Sequence, residues 1–285
     1  MIEWTGTSGF STVAVVGVGL IGGSIAAAVK QRGVAKTVIG VGRRANRLEQ
    51  ARRAGLIDCG ATDPAAVREA DLVIACTPVD RIAADVLACA AHVRPGTLFT
   101  DAGSVKGEIC SALRGQMPDA TTFVGSHPLA GSEKAGFEHA SPQLFAGRQC
   151  VITPENLTPM AATARVRSFW ERLGMRVVEM TPARHDEVLA LTSHLPHAVA
   201  AALASLLSAS EAEFAATGFR DTTRIAGGDP ELWSAIFAAN REHLVQQLDR
   251  LQQQVAELRT VIAAGDVDRV TALLREAQRR REALQ

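Results

Sequence analysis

The stretch VAVVGVGLIGGS, residues 13–24, decides how the rest of the chain is read. An apolar run leads straight into a turn carrying Gly17, Gly19 and Gly22, the spacing G-x-G-x-x-G, and the residues beyond it read as a helix. Strand, glycine turn and helix in that order make a phosphate cradle. Gly17 permits the tight turn, Gly19 lets backbone approach a pyrophosphate, and Gly22 lets helix and strand pack closely. Leu20 and Ile21 complete the loop, and the helix start presents free N–H groups and a partial positive charge to an anion.

Outward from this loop, residues 12–180 alternate apolar runs with helical patterns. The runs 12–19, 37–42, 70–78, 97–103, 121–125, 149–153 and 175–180 are rich in Val and Ile and lack period-two alternation. That is the signature of strands covered on both faces. Helical patterns at 22–32, 79–92 and 104–114 lie between them. The expected fold is α/β, with a doubly wound, mainly parallel sheet over residues 10–180. After Met180 the texture is helical. Thr181-Pro182 and Asp229-Pro230 read as N-caps followed by Pro at the first helical position. Leu244, Leu248, Leu251, Val255, Leu258 and Ile262 form a heptad seam. Residues 181–285 are therefore expected to be an all-helical domain, its seam covered by a second copy of the chain.

Composition narrows the class. Thirty basic residues balance thirty acidic ones, so there is no global attraction to nucleic acid or an anionic membrane. Five cysteines without a C-x-x-C suggest neither a disulfide framework nor a zinc site, and a reducing cytoplasm fits them. No uninterrupted apolar run is long enough to span a bilayer. His194 and His197 are three apart on a helix but lack a third ligand in sequence, so no metal is expected.

At the end of the second strand, where an NAD enzyme places an acidic residue, stand Gly42, Arg43 and Arg44, with Arg47 a little later. A guanidinium forks onto a 2′-phosphate that a carboxylate would repel, so NADP is expected over NAD. Cys76, Thr77 and Pro78 follow the third strand and are placed on the nicotinamide side. Ser104 follows the fourth, at the expected start of a helix. His127 follows the fifth, and Pro128 holds it out of the α region. A neutral imidazole in a cleft is the usual acid/base group near pH 7, so activity is expected to decline below about pH 6.5. His185 reads as a surface or packing residue, and Pro196 as a helix kink.

The segments GVGLIGGS (17–24), DAGSVKG (101–107), SHPLAGSEKAG (126–136), TSHLPHA (192–198) and GFRDTTRIAGGDPELW (218–233), in this order and spacing, resemble the prephenate/arogenate (cyclohexadienyl) dehydrogenase family. The resemblance spans about residues 12–250. It implies a Rossmann domain followed by a helical dimerisation domain, a homodimer through the C-terminal helices, and oxidative decarboxylation of prephenate or arogenate in tyrosine biosynthesis. By matched position, His127 implies the base that takes the ring hydroxyl's proton, and Ser104 its neighbour. His197, Arg224, Glu133, Asp221, Trp233 and, beside the base, Ser126 are placed with the substrate, Arg224 facing a carboxylate. The VGRR segment departs from relatives with an acidic residue there, which puts NAD dependence in doubt. With the glycine loop opening the chain and the helices closing it, no fused mutase or regulatory domain is expected. Two rivals remain. Other NADP reductases, of the β-hydroxyacid or imine type, use a helical-domain lysine, and none follows Lys134. A non-catalytic dinucleotide-sensing dimer would have no need of His127, Ser104 and Arg224 together.

Overall fold

The computed structural model describes residues 9–132 and 134–284; the expectation for Glu133 lies outside the described residues. The chain divides into two compact units, Met1–Asn240 and Arg241–Gln285.

In the first unit, strands and helices alternate as β1 (Phe10–Val16), α1 (Leu20–Gln31), β2 (Ala35–Val41), α2 (Ala45–Arg53), β3 (Cys59–Ala61), β4 (Leu72–Ala75), α3 (Val79–Ala90), β5 (Leu98–Asp101), α4 (Gly107–Leu113) and β6 (Thr122–Phe123). The six strands pair in the order β3-β2-β1-β4-β5-β6, all parallel. This is the doubly wound order with its switch point between β1 and β4. The missing alternation in the sequence has a direct cause. Val13 and Val15 of β1, with Leu72 and Ile74 of β4, enter one core, which includes Ile25, Phe169 and Trp170. Their neighbours Ala14, Val16, Val73 and Ala75 enter a second core on the other face, with Ile82 and Val86 of α3.

Three local expectations need correction. The run 121–125 is two strands: β6 ends at Phe123, and β7 (Gly125–Pro128) starts a second sheet. In that sheet β7 pairs antiparallel with β8 (Gln149–Thr153), which pairs parallel with β9 (Arg176–Glu179) beyond α5 (Met160–Arg172). His127 is therefore a strand residue opposite Val151, not a loop residue after a strand. The helix expected at 104 starts at Gly107, which leaves Ser104 on the preceding loop. β3 adds a strand that Cys59-Gly60-Ala61, with no apolar pattern, does not signal.

Beyond β9 the described residues form no strand. Thr181 caps α6 (Pro182–Leu189), its hydroxyl accepting from the Arg184 N–H at 3.2 Å. The helix continues without a break through a π-turn, Ala190–His194, into α7 (Leu195–Ser205). Pro196 offers no N–H to the helical ladder, and the wider turn lies just ahead of it. By length and hydropathy Pro182–Ser205 is apolar enough to cross a membrane. It also carries His185, Asp186, His194 and His197, all buried, which is how a core helix is built. The unit closes with α8 (Thr217–Thr223) and α9 (Pro230–Ala239), capped by Asp229, whose Oδ1 accepts from the Leu232 N–H at 3.0 Å.

The second unit is a helical hairpin of α10 (Arg241–Ala263) and α11 (Val267–Glu282). The chain reverses at Gly265, whose φ of +66° suits glycine, and Asp266 caps α11 by accepting from the Arg269 N–H. Seam residues Val255 and Ile262 are 56% and 59% exposed, so the hairpin does not cover its own stripe.

Candidate active site

The glycine turn is built as its spacing requires. Gly17 has φ +93°, and a Cβ there would stand 2.9 Å from the Cys76 carbonyl. The first turn thus packs directly on the segment Cys76-Thr77 that leaves β4. A Cβ on Gly22 would be 2.1 Å from the Gly17 oxygen, so helix and turn could not meet with any other residue. A Cβ on Gly19 would meet no atom of the described residues within 4 Å. Gly19 N-caps α1 with no side-chain cap, so the leading N–H groups around Leu20 and Ile21 have no helical acceptor. Open space over free donors is what a pyrophosphate needs. Pro78 N-caps α3, and the buried Thr77 Oγ1 has no hydrogen-bond partner among the described residues. Burial raises the Cys76 thiol far above its usual range.

Past β2, Arg43 and Arg44 are exposed, with Arg44 at the N-cap of α2. Arg47 is not equivalent to them. It donates Nη1 and Nη2 to the two carboxylate oxygens of Glu138 at 2.5 and 2.8 Å and lies over the Phe137 ring. Those hydrogen bonds hold the Glu138 carboxyl down at about 2.

His127 is half-buried on β7, and its Nδ1 lies 2.9 Å from His185 Nε2. His185 is fully buried, and its Nδ1 lies 2.7 Å from Asp186 Oδ1. Asp186 is saturated: Oδ1 also accepts from the Lys106 N–H at 2.8 Å, and Oδ2 from the Gly107 N–H at 2.7 Å. The partners assign the protons. A carboxylate only accepts, so His185 carries its hydrogen on Nδ1 and presents a lone pair at Nε2. His127 must then donate from Nδ1, which leaves its own Nε2 as a free base. The reading of His185 as packing is corrected, since it selects the tautomer of His127. Adjacent His and Asp behind a helix N-cap give no sequence signal of this; only the fold brings them to β7.

Charge and burial set the proton affinities. Burial pushes His127 well below its ordinary value, and the charges of His185, Lys106 and His194 act the same way. Burial lowers His185 too, with the Asp186 hydrogen bond only partly offsetting it. At Asp186 burial opposes the charge, but the hydrogen bonds from His185, Lys106 and Gly107 outweigh it and keep the carboxyl below its usual range.

Under this chain lies a wholly buried ion pair, Lys106 with Asp101. Lys106 Nζ also donates to the Ser126 carbonyl at 2.8 Å, and Asp101 Oδ1 accepts from the Ser126 N–H at 2.9 Å. Lys106 therefore grips β7 with its side chain and Asp186 with its main chain. Ser126 itself is fully buried. Its hydroxyl bonds the Asp101 carbonyl and Thr100 Oγ1 and accepts from Trp170 Nε1. The substrate contact expected of Ser126 is corrected for that reason: it pins β7 from below. Ser104 is half-buried on the loop that carries Lys106.

A second cluster sits on α7. His197 is buried and stacked on Trp233, centroids 3.6 Å apart and planes 13° from parallel. A Cβ on Gly228 would be 2.7 Å from Trp233 Nε1 and 3.1 Å from His197 Cε1, so only glycine fits against the stack. Asn240 Nδ2 reaches the Asp186 carbonyl at 2.8 Å and His194 Nδ1 at 3.1 Å. His194 Nε2 and His197 Nδ1 are buried without a hydrogen-bond partner among the described residues. Burial brings His194 down to about 4 and lowers His197. Asp221 on α8 and Arg224 on the turn Arg224–Gly227 are exposed. Among the described residues no cluster of His, Cys, Asp or Glu could hold a metal ion.

A glycine cradle over a doubly wound sheet and a tautomer-fixed histidine beside its strand ends define a Rossmann-type enzyme of the oxidoreductase class. Residues 25–179 match the nucleotide-binding domain of prephenate dehydrogenase, and residues 181–276 match its dimerization domain. The chain is 37% identical to the cyclohexadienyl dehydrogenase of Zymomonas mobilis, covering 96% of both. It is 33% identical to the prephenate dehydrogenase of Bacillus subtilis, over 96% of this chain and 76% of that one. Its fold is similar to the crystal structure of prephenate dehydrogenase from A. aeolicus with hydroxyphenyl propionate and NAD+, with a TM-score of 0.92, 30% identity and coverage of 98% and 100%. Synechocystis arogenate dehydrogenase is similar with a TM-score of 0.83, 32% identity and coverage of 96% and 100%. The chain belongs to the prephenate dehydrogenase family. That membership makes it an oxidoreductase, and a match to a dimerization domain supports a homodimer.

Proposed function

We propose that the protein is a cytoplasmic, NADP-dependent dehydrogenase that oxidatively decarboxylates prephenate or arogenate, giving 4-hydroxyphenylpyruvate or tyrosine and carbon dioxide. The chain His127–His185–Asp186 carries this reading, because it leaves a lone pair on His127 Nε2. Residues 10–180 supply the dinucleotide site, and residues 181–285 the substrate contacts and the dimer. The bound nicotinamide supplies the hydride acceptor. His127 takes the ring hydroxyl's proton as the carbinol hydrogen leaves as hydride, so carbinol becomes carbonyl without a full cation. The ring carboxylate departs as carbon dioxide, its bonding pair passing through the ring to the new carbonyl oxygen, which takes a proton back from His127 as the ring becomes aromatic. The imidazolium charge formed on His127 is shared through its Nδ1–H with His185, backed by Asp186. Ser104 stands beside the hydroxyl and Arg224 anchors a carboxylate, while Asp221 borders the mouth. His197 and Trp233 form a wall, with unpartnered nitrogens on His197 and His194 for the side chain's polar end.

For the coenzyme, Gly17, Gly19, Leu20, Ile21 and Gly22 hold the pyrophosphate, and Cys76, Thr77 and Pro78 flank the nicotinamide. Arg43 and Arg44 take the 2′-phosphate, which favours NADP over NAD. Following the reduced coenzyme's absorbance with prephenate and arogenate, each with NADP+ and NAD+, tests both choices. No turnover of either substrate with either coenzyme would reject the reading. Replacing Arg43 and Arg44 together by alanine should weaken NADP+ about tenfold or more and leave NAD+ nearly unchanged.

A further inference from the structure

One ion pair ties the first turn of α2 to the segment that follows β7. Arg47 gives both arms of its guanidinium to Glu138, and its plane lies 4.4 Å from the centre of the Phe137 ring. Phe137 and Glu138 sit on a short turn, Phe137–His139, that is docked on α1. A Cβ on Gly23 would be 3.3 Å from Phe137 Cβ and 3.1 Å from that of Ala140, and the Ser141 N–H donates to Ser24 Oγ at 3.0 Å. Arg47 thus bridges the opening turns of α2 and α1, the two helices whose starts bound the adenosine side of a dinucleotide cleft. Both partners are partly exposed, 34% for Arg47 and 48% for Glu138, so the pair is not core.

Three arginines follow β2, and they differ in charge balance. Arg43 and Arg44 have no ion-pair partner among the described residues, whereas Glu138 matches Arg47. We propose that Glu138 is a specificity-determining residue for the coenzyme: by engaging Arg47 it withholds one of three guanidinium groups from a ribose 2′-phosphate and limits the preference for the phosphorylated dinucleotide. The proposal rests on the arginine reading of the coenzyme end given above. A phosphate monoester carries nearly two negative charges, so a carboxylate here acts on it twice, by direct repulsion and by occupying the fork that would bind it. A 2′-hydroxyl feels neither effect.

The test is calorimetric binding of NADP+ and of NAD+ to the intact chain, for the wild type, Glu138→Gln, Arg47→Ala and the double variant. Glu138→Gln should tighten NADP+ about fivefold or more and leave NAD+ within about twofold. Arg47→Ala strands the Glu138 charge and should weaken NADP+ by a similar factor. The double variant should return near the wild type, because the pair is removed as a unit. An unchanged NADP+/NAD+ affinity ratio in Glu138→Gln overturns the proposal, as do equal changes for both coenzymes. The Arg43→Ala/Arg44→Ala variant is measured alongside. If NADP+ is indifferent to it, the arginine reading fails; if NADP+ responds to it but not to Glu138→Gln, only the present proposal fails.

Discussion

His127 meets His185 through ring nitrogens 2.9 Å apart, and the contact fixes which face of His127 is basic. His127→Asn removes the base and should lower kcat by about 10²–10⁴ with KM little changed. Asp186→Asn is the sharper test. An amide can donate to His185 Nδ1, which reverses both tautomers and puts a hydrogen on His127 Nε2. Steady-state kinetics should show kcat lower by about 10²–10³ at near-constant KM. Wild-type turnover in Asp186→Asn would remove the relay from the mechanism.

The pH dependence expected from an ordinary imidazole, with activity declining below about pH 6.5, is corrected by the burial of His127, which lowers its proton affinity well below that value. The acid limb of kcat/KM should therefore lie on the acid side of that ordinary imidazole value. Stability follows the same sign. His127, His185, His194 and His197 are all lowered, so the unfolded chain binds more protons than the folded one below about pH 6.5. Their contribution is complete above that pH and is lost as pH falls toward the folded values, about 4 for His194. Thermal unfolding scans between pH 8 and 4 should show Tm flat at first and then falling. A Tm that rises on acidification would contradict the assignment.

Arg224 is proposed to anchor a substrate carboxylate. Its loss should forfeit a charged hydrogen bond of about 1.5–3 kcal/mol, read as a KM increase of roughly 10–100-fold in Arg224→Ala. If kcat fell and KM held, the anchoring role would be wrong.

The Lys106–Asp101 pair is fully buried. Lys106→Met leaves an unpaired carboxylate inside the protein and should cost about 3–5 kcal/mol in urea unfolding. Lys106→Met with Asp101→Asn removes both charges and should recover much of that loss. A single variant as stable as the wild type would show that Asp101 finds another partner.

Much of this architecture was legible because its causes are local. Gly17 and Gly22 occupy positions where any side chain would collide, and Thr181 and Asp229 cap helices where a Pro follows. The two-sided burial of residues 13–16 in β1 and of β4 appears in the sequence as unbroken Val, Leu, Ile and Ala. What was hidden depends on distance along the chain. His185 lies 58 positions from the histidine it orients, and Lys106 lies 80 from the carboxylate its main chain holds. Ser126 reads as a ligand contact from its place beside His127. Because neighbours on a strand face opposite ways, Ser126 is in the core while His127 reaches the surface.

The π-turn at Ala190–His194 also sets direction. His194 lies nine positions after His185, and in an unbroken α-helix that interval places them on opposite sides, about 180° apart. One extra residue in the winding removes about 100° of that angle. It swings His194 toward the flank of His185, where a single amide, that of Asn240, reaches both the Asp186 carbonyl and the His194 ring. Excising one residue from that coil would unwind the alignment and turn His197 out of its stack with Trp233, even though no contacting side chain had been altered.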